Sequence, residues 1–253
     1  MIYTCYEMIR DCRADKAEGW SHFASAYVPV IRKILAHYAP SGPDVLEPVL
    51  LAARKPGAEL FQLLEPSPER WFVAQLRQQV VAALPVTAAQ IPLDLDTVVE
   101  ALAPLTFTEK LAAWFETMNY GTPEIGTLLR MAPATVEKIR ERANELIRGK
   151  SDMWRRGLLA ENGRTLGNQA AGIVKTEDCS TPKFFLDVLD GRATWRNREV
   201  MEHHATACWQ CIDHFCRMAE VIELLRGVKP LTDAEAEPYH RLLGVKAKKR
   251  GWF

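Results

Sequence analysis

The sequence predicts an all-α fold, and three observations support this fold class. Apolar and polar residues seldom alternate along the chain, so strand signals are scarce. Apolar residues recur instead at helical spacing in several separate stretches. Prolines and glycines fall between these stretches, where they end helices and favour turns.

The composition is typical of a folded protein with two or three small domains. The chain has 253 residues, of which 48% are hydrophobic and 25% are charged. The formal net charge is zero, so any contact with nucleic acid must be local. The sequence has no apolar run of membrane-spanning length and no secretory signal at its start. We therefore expect a cytoplasmic protein without a membrane partner, whose reduced cysteines are suited to metal ligation.

The N-terminal third contains two helical stripes. The first consists of Phe23, Tyr27, Val30, Ile31, Ile34 and Leu35. The second consists of Phe72, Leu76, Val80 and Leu84. Six prolines divide the stretch between them into short pieces, namely Pro40, Pro43, Pro48, Pro56, Pro66 and Pro68. A linker bounded by prolines follows at residues 85–92.

The rest of the chain contains further helical segments. A helical block is predicted over residues 106–148, and a connector with some helix over 149–178. Helices follow over residues 182–189 and 196–226, and a short helix is predicted after Pro230. The chain then ends in a basic cluster that is typical of a solvated tail, formed by Lys246, Lys248, Lys249 and Arg250.

Cysteine and histidine residues cluster in the C-terminal third. The run His204-Ala-Thr-Ala-Cys208-Trp-Gln-Cys211 has the form His-x3-Cys-x2-Cys. Positions three and four apart share a helix face, so these three side chains can point at one ion. Zinc accepts nitrogen and sulfur donors in a tetrahedron. Cys179 is the natural fourth ligand, because a helix pair that turns at Gly191 would return it to the site.

Other interpretations of this cluster remain open. His203, His214 and Cys216 are lower-ranked substitute ligands, and His203 points about one hundred degrees away from His204 on a helix. The cysteines could also pack as small hydrophobic residues without a metal. The histidine at helical register, together with the distant cysteine, favours a metal. A site closed by four protein ligands predicts a structural Zn²⁺ that ties short helices together, not a catalytic one.

This segment resembles the zinc-containing anti-sigma domain. The matching residues are Cys179, the Leu189-Asp190-Gly191 turn and the His204-x3-Cys208-x2-Cys211 run. In that family a small helical domain wraps a sigma factor and blocks it. The resemblance implies a protein-binding role. We add the hypothesis that the thiolates respond to oxidants.

The 106–148 block has the pattern of a helix-turn-helix. Gly121 suits the end of one helix, Thr122 can cap the next, and Pro123 fits its first turn. Pro133 opens another helix, of which three side chains would face the major groove: Thr135, Lys138 and Arg142. The same pattern fits a helical hairpin with a solvated charged face. Three acidic residues favour that alternative because they oppose phosphate: Glu137, Glu141 and Glu145.

The two halves together resemble a sigma factor of the extracytoplasmic-function type. The 106–148 block is similar to region four in its Gly121-x-x-Glu124-Ile125 framework, its Thr135-Val136 pair and its Arg142-Ala143 pair. Residues 8–84 are similar to region two in the Phe23-x3-Tyr27-x2-Val30 helix and in the run Pro68-Glu69-Arg70-x-Phe72.

The resemblance implies promoter-selective transcription initiation. Region two would contact core RNA polymerase through Asp44 and Glu47, region four would read promoter DNA, and the zinc domain or a protein inhibitor would control both. No small-molecule substrate is expected. The implied segments are a region-two-like domain (1–85), a linker (86–105), a region-four-like domain (106–150), a connector (151–178), a zinc-binding domain (179–228) and a basic tail (229–253).

Several positions depart from the sigma-factor pattern. The acidic helix of that family is reduced to Asp44 and Glu47, and Glu137 and Ile139 stand where basic residues are usual. These changes favour an alternative function, a non-initiating adaptor that binds a regulatory protein without reading DNA. We do not expect an enzyme, because the chain has no Gly-rich phosphate loop, no Gly-x-Ser-x-Gly and no His-Glu-x-x-His motif.

Overall fold

The structure is a computed structural model that describes residues 3–40, 42, 44–62, 69–85, 89, 91–150 and 155–245. Within these residues it contains thirteen α-helices, one 3-10 helix and no strand, so the predicted all-α fold class is confirmed. No helix in this part of the chain combines the length and the apolar character that a membrane crossing requires. Pro43, Pro66, Pro68 and the predicted basic cluster at 246–250 lie outside the described residues.

In chain order the helices are α1 (Cys5–Arg13), α2 (Ala17–Tyr38), α3 (Leu46–Arg54), the 3-10 helix (Glu59–Phe61), α4 (Glu69–Ala83), α5 (Leu95–Ala101), α6 (Phe107–Thr117), α7 (Thr122–Leu129), α8 (Pro133–Arg148), α9 (Leu158–Ala171), α10 (Pro182–Leu189), α11 (Trp195–Ala207), α12 (Trp209–Leu225) and α13 (Asp233–Leu242). They divide into two compact units. Unit 1 comprises residues 1–85 and 224–253, and unit 2 comprises residues 86–223. The segment boundaries that the family resemblance implies stay a prediction.

The two predicted stripes lie in the core of unit 1. On α2, the buried members are Phe23, Tyr27, Val30, Ile31 and Ile34, and on α4 they are Phe72, Leu76 and Val80. The rings of Tyr27 and Phe72 meet edge to face, with centroids 4.9 Å apart, so the two helices are joined by an aromatic contact. The Tyr27 hydroxyl also donates to Glu69 at 3.0 Å. Helical periodicity therefore identified the part of the unit 1 core that α2 and α4 contribute.

A proline in the middle of α2 fixes where the C-terminal segment docks. Pro29 has no amide hydrogen, so the carbonyl of Ser25, four positions earlier, loses its helical partner. The N–H of Leu231 donates to that carbonyl instead, with an N–O distance of 2.8 Å. Helix α13 then contacts α2, where His240 is hydrogen-bonded to the Ser21 hydroxyl at 3.2 Å. The chain after residue 224 is thus held by a backbone acceptor that the proline leaves open.

Unit 2 is assembled around α6. Helix α5 begins within the stretch predicted as a linker, where Asp94 caps it by accepting the N–H of Thr97. Helix α9 lies within the predicted connector and contacts α6 closely at Gly163. A Cβ atom there would lie 1.8 Å from the carbonyl oxygen of Thr117, so only glycine permits this approach. The neighbouring Asn162 accepts the N–H of Leu93 at 2.9 Å and ties the incoming chain to α9.

Helices α6, α7 and α8 lie within the predicted helical block at 106–148, although α6 ends at Thr117 and not at Gly121. Arg130 adopts the left-handed conformation, with φ of 55°, and ends α7 before Pro133 begins α8. The predicted cap at Thr122 is wrong by one residue. Gly121 is the N-cap, because the Glu124 carboxylate accepts its N–H at 2.6 Å. Three apolar residues of α8 face inward with no exposed surface, namely Val136, Ala143 and Ile147.

Replacing Pro29 with Ala tests the docking of the C-terminal segment. The new amide can bond to the Ser25 carbonyl, so α2 gains up to about 3 kcal/mol of helix propensity while Leu231 loses its acceptor. We expect the Leu231 amide to exchange with solvent at least about tenfold faster in P29A, measured by hydrogen exchange. Pro48→Ala is the control, because Pro48 lies in the first turn of α3, where an amide has no helical acceptor. Equal Leu231 exchange in P29A and the parent protein would contradict the expectation.

Candidate metal centre

The four predicted metal ligands lie together in unit 2. One side-chain nitrogen or sulfur from each of Cys179, His204, Cys208 and Cys211 lies within 4.8 Å of the others. The sulfurs of Cys179 and Cys208 are 3.9 Å apart. Three sulfurs and an imidazole form a donor set that suits a tetrahedral ion. The cluster could therefore bind a metal, with Cys211 buried and the other three side chains half-buried.

The helix predicted over residues 196–226 is interrupted at Cys208, so that part of the prediction is wrong. Helix α11 ends at Ala207 and α12 begins at Trp209, and Cys208 between them is extended, with φ of −109° and ψ of 101°. His204 therefore lies in the last turn of α11 and Cys211 in the first turn of α12. The helical spacing still places the ligands correctly, because the break is confined to one residue and the Cys208 N–H still donates to the His204 carbonyl at 3.1 Å.

Cys179 reaches the cluster from a turn that precedes α10. Its N–H donates to the Thr176 carbonyl at 3.1 Å, and the Thr176 N–H donates to its sulfur at 3.4 Å. Burial raises the pKa of Cys179, but hydrogen bonds from Thr176, with His204 and Cys211 nearby, outweigh burial and lower the pKa to about 7. A substantial fraction is therefore thiolate at neutral pH, which is the form that binds metals.

Metal binding would stabilise His204 and Cys211, each for a different reason. The Nε2 atom of His204 is buried and has no hydrogen-bond partner within the described part of the chain. A buried polar atom in that state costs about 1–3 kcal/mol, and a metal bond through Nε2 would remove this cost. Burial also raises the pKa of Cys211, although the Ser180 N–H opposes this shift. A bound metal deprotonates such a thiol outright.

The substitute ligands do not belong to the cluster. His203 is exposed on α11. His214 is buried with its ring 5.1 Å from the ring of Phe185, and burial lowers its pKa to about 4. The sulfur of Cys216 lies 3.9 Å from the carbonyl oxygen of Leu111. Cys216 therefore serves the packing of α12 against α6.

Two residues beside the cluster were missed by sequence reasoning. Thr176 lies three residues before Cys179, a spacing typical of local turns that could have signalled a sulfur–amide bond. Lys110 lies on α6, far away in sequence, and its ammonium donates to the carbonyl of Thr206 at 2.6 Å. No local pattern could have indicated that contact.

The predicted DNA-facing residues lie on the surface of α8, away from its buried face. Thr135, Lys138 and Arg142 are all exposed. Arg142 forms an ion pair with Glu109 of α6 at 2.9 Å. Glu137 accepts the Thr122 hydroxyl at 2.6 Å, so the surface of α8 carries both signs of charge.

The predicted polymerase-facing residues lie at the start of α3 in unit 1. Asp44 and Glu47 are exposed, and the Asp44 carboxylate accepts the N–H of Leu46 at 2.9 Å. Both acids line a surface cleft between α2, α3 and α13, together with Arg32 and Tyr239. The structure therefore places them on one accessible edge of unit 1.

Comparisons of the chain with protein-family models, with curated proteins and with solved structures find no match. The sigma-factor and anti-sigma resemblances therefore rest on the sequence motifs that carry them. The metal centre rests on geometry that does not depend on any relative.

Replacing Cys208 or Cys211 with Ser is expected to abolish metal binding, because oxygen is a poor substitute for a thiolate in this donor set. The melting midpoint of zinc-loaded protein should fall by about 10 °C, which corresponds to roughly 4 kcal/mol of binding-linked stability. Metal content per chain and thermal unfolding check this. Cys216→Ser, which changes a cysteine of α12 outside the cluster, should keep its metal. Full metal content in C208S and C211S would contradict the ligand assignment.

Proposed function

We propose that this protein is a zinc-stabilised transcription regulator of the sigma-factor type. It binds core RNA polymerase and promoter DNA, and its metal-binding segment or a protein inhibitor controls it. The observation that carries the proposal is the presence, in one compact unit, of a helix-turn-helix-like arrangement and a Cys3His cluster. This pairing joins a DNA-reading element to a regulatory element.

Zinc is the ion that the donor set favours. Thiolates and imidazole select zinc among the abundant divalent ions, whereas magnesium and calcium prefer oxygen ligands. Four protein ligands leave no open position, so the ion would have a structural role. Zinc would hold the turn before α10 and the ends of α11 and α12 in one arrangement.

A promoter-binding role is supported by the shape of α7 and α8. Two short helices joined by a tight turn present the exposed residues Thr135 and Lys138 on the second helix, as a recognition helix requires. The capping of α6 by Thr106 and of α7 by Gly121 defines the helix starts and makes the arrangement rigid.

A second candidate function is a non-initiating adaptor, and the ion pairs of α8 favour it. Arg142 is engaged by Glu109, and Arg140 by Glu116 at 3.2 Å. The net charge of the chain is zero. These features reduce the attraction of α8 for phosphate and suit a protein partner equally well.

Titration of zinc-loaded protein against purified core RNA polymerase tests the proposed function. We expect a specific complex. The double substitution Asp44→Ala and Glu47→Ala should weaken this complex by about tenfold, because it removes two charges from the interface. Glu59→Ala is the matched control, because Glu59 is an exposed acid elsewhere in unit 1. Promoter-dependent transcription by the complex supports a sigma factor. A complex that does not transcribe supports an adaptor that binds polymerase, and the absence of any complex contradicts the sigma-factor proposal.

Two kinds of substitution test promoter binding: one removes positive charge from α8, and the other removes a negative charge that pairs with α8. Lys138→Ala combined with Arg142→Ala should weaken binding of the polymerase complex to a promoter duplex by at least about tenfold and lower its salt dependence. Glu109→Gln should strengthen binding severalfold, because it releases Arg142 while glutamine retains the capping box with Thr106. The measurement is a duplex titration at several salt concentrations. An unchanged affinity in both variants would mean that α8 does not contact the duplex.

A further inference from the structure

We propose that α6 couples the metal centre to the helix-turn-helix, so that metal binding at the α11–α12 junction sets the position of α8. This inference rests on the metal binding proposed for the cluster. It goes beyond that function by assigning the coupling to Lys110 and Trp114, two residues of α6 that are not ligands.

Lys110 contacts the segment that carries the ligands. This residue is 4% exposed, and its ammonium donates to the carbonyl of Thr206 at 2.6 Å. Thr206 lies between the ligands His204 and Cys208, in the last turn of α11. The Lys110 ammonium also lies 5.6 Å from the ring centroid of Trp209, the residue after Cys208. Any change in the backbone of this junction therefore reaches α6 directly.

Further contacts extend this interface along α6. The Trp114 indole N–H donates to the Asp213 carboxylate at 3.1 Å, and the rings of Trp114 and Trp209 meet with centroids 5.2 Å apart. Just after α6, the Tyr120 hydroxyl donates to the Glu220 carboxylate at 3.0 Å. These bonds are buried, so breaking one leaves an uncompensated polar group and the interface resists sliding.

A second stripe of α6 faces α8. Glu109 pairs with Arg142 at 2.9 Å, and Glu116 pairs with Arg140 at 3.2 Å. Glu109 and Lys110 are adjacent, so their side chains leave the helix about one hundred degrees apart. One rigid helix thus contacts the metal junction on one side and α8 on the other.

The charges at the junction favour this arrangement when the metal is bound. Three thiolates and a divalent ion carry a net charge of about −1 with a neutral imidazole. The carbonyl end of α11 adds partial negative charge. The buried ammonium of Lys110 contacts this carbonyl end at Thr206, so metal binding and the position of Lys110 would stabilise each other.

Coupling of this kind is reciprocal. If the metal stabilises the position of α6, then loosening α6 must weaken metal binding by the same factor. The proposal therefore predicts two independent readouts, the protection of α6 and α8 amides and the affinity for zinc, neither of which requires DNA.

Hydrogen exchange of the full chain, with zinc bound and after chelation, measures the first readout. We expect chelation to speed exchange about tenfold or more in α6 and α8 as well as in α10–α12, and to leave α1–α4 of unit 1 unchanged. Changes confined to α10–α12 would overturn the proposal.

Zinc affinity, measured by competition with a chelator, provides the second readout. Lys110→Met keeps the length of the side chain but removes its charge and donor, and should weaken zinc binding by about tenfold. Lys33→Met is the matched control, because Lys33 donates to the Arg226 carbonyl at 2.8 Å within unit 1 and should not affect zinc. Trp114→Phe keeps an aromatic ring but removes the N–H together with the pyrrole part of the indole, and should weaken zinc binding severalfold even if K110M folds poorly.

The outcomes separate the two proposals. If the parent chain binds no zinc, the proposed metal function fails and the coupling fails with it. If zinc binds but K110M and W114F keep the parent affinity, only the coupling is overturned. Weakened zinc binding in both variants, with unchanged binding in K33M, supports the coupling.

Discussion

The extended residue Cys208 is the constraint on which unit 2 depends. It ends α11, begins α12, and brings ligands from both helix ends toward Cys179 in the turn before α10. Helix α11 needs this support, because it buries only Met201 and Ala205 and leaves Trp195 76% exposed. So little apolar burial cannot hold a helix of this length in place. Ligation of a metal by the cluster would supply the missing constraint, as it does in small domains with weak cores.

Around this junction, buried polar contacts determine which packing arrangement the helices adopt. Lys110, Trp114 and Tyr120 each direct a donor across the interface to an acceptor on α11 or α12. An apolar interface tolerates small shifts in register, whereas buried hydrogen bonds are lost when their partners move by about one residue. The close contact of α9 with α6 at Gly163 restricts the movement of α6 from another side. Helix α6 is therefore held in place by contacts on several sides.

Sequence patterns were informative where the determining contacts are local, and uninformative where they are not. The stripes of α2 and α4 and the bounds of α10 follow from helical periodicity, and the clustering of His204, Cys208 and Cys211 follows from helical spacing. The break at Cys208 was not predicted, because no proline or glycine marks it and the residues around it favour helix. The Asn162-Gly163 pair would favour a hairpin turn in another context, yet it lies inside α9, where Gly163 permits contact with Thr117. The bond from Leu231 to the Ser25 carbonyl joins distant segments and could not be predicted.

The two ion pairs between α6 and α8 differ in a way that bears on DNA binding. The Arg140–Glu116 pair is largely buried, with side chains 17% and 3% exposed, and breaking it would leave an unpaired charge. The Arg142 side chain is 51% exposed, and exposed pairs of this kind contribute only about 0–1 kcal/mol. Phosphate can therefore recruit Arg142 but not Arg140. A chain of zero net charge gains little non-specific attraction to DNA, so the proposed promoter contact depends on polymerase bringing α8 to the duplex.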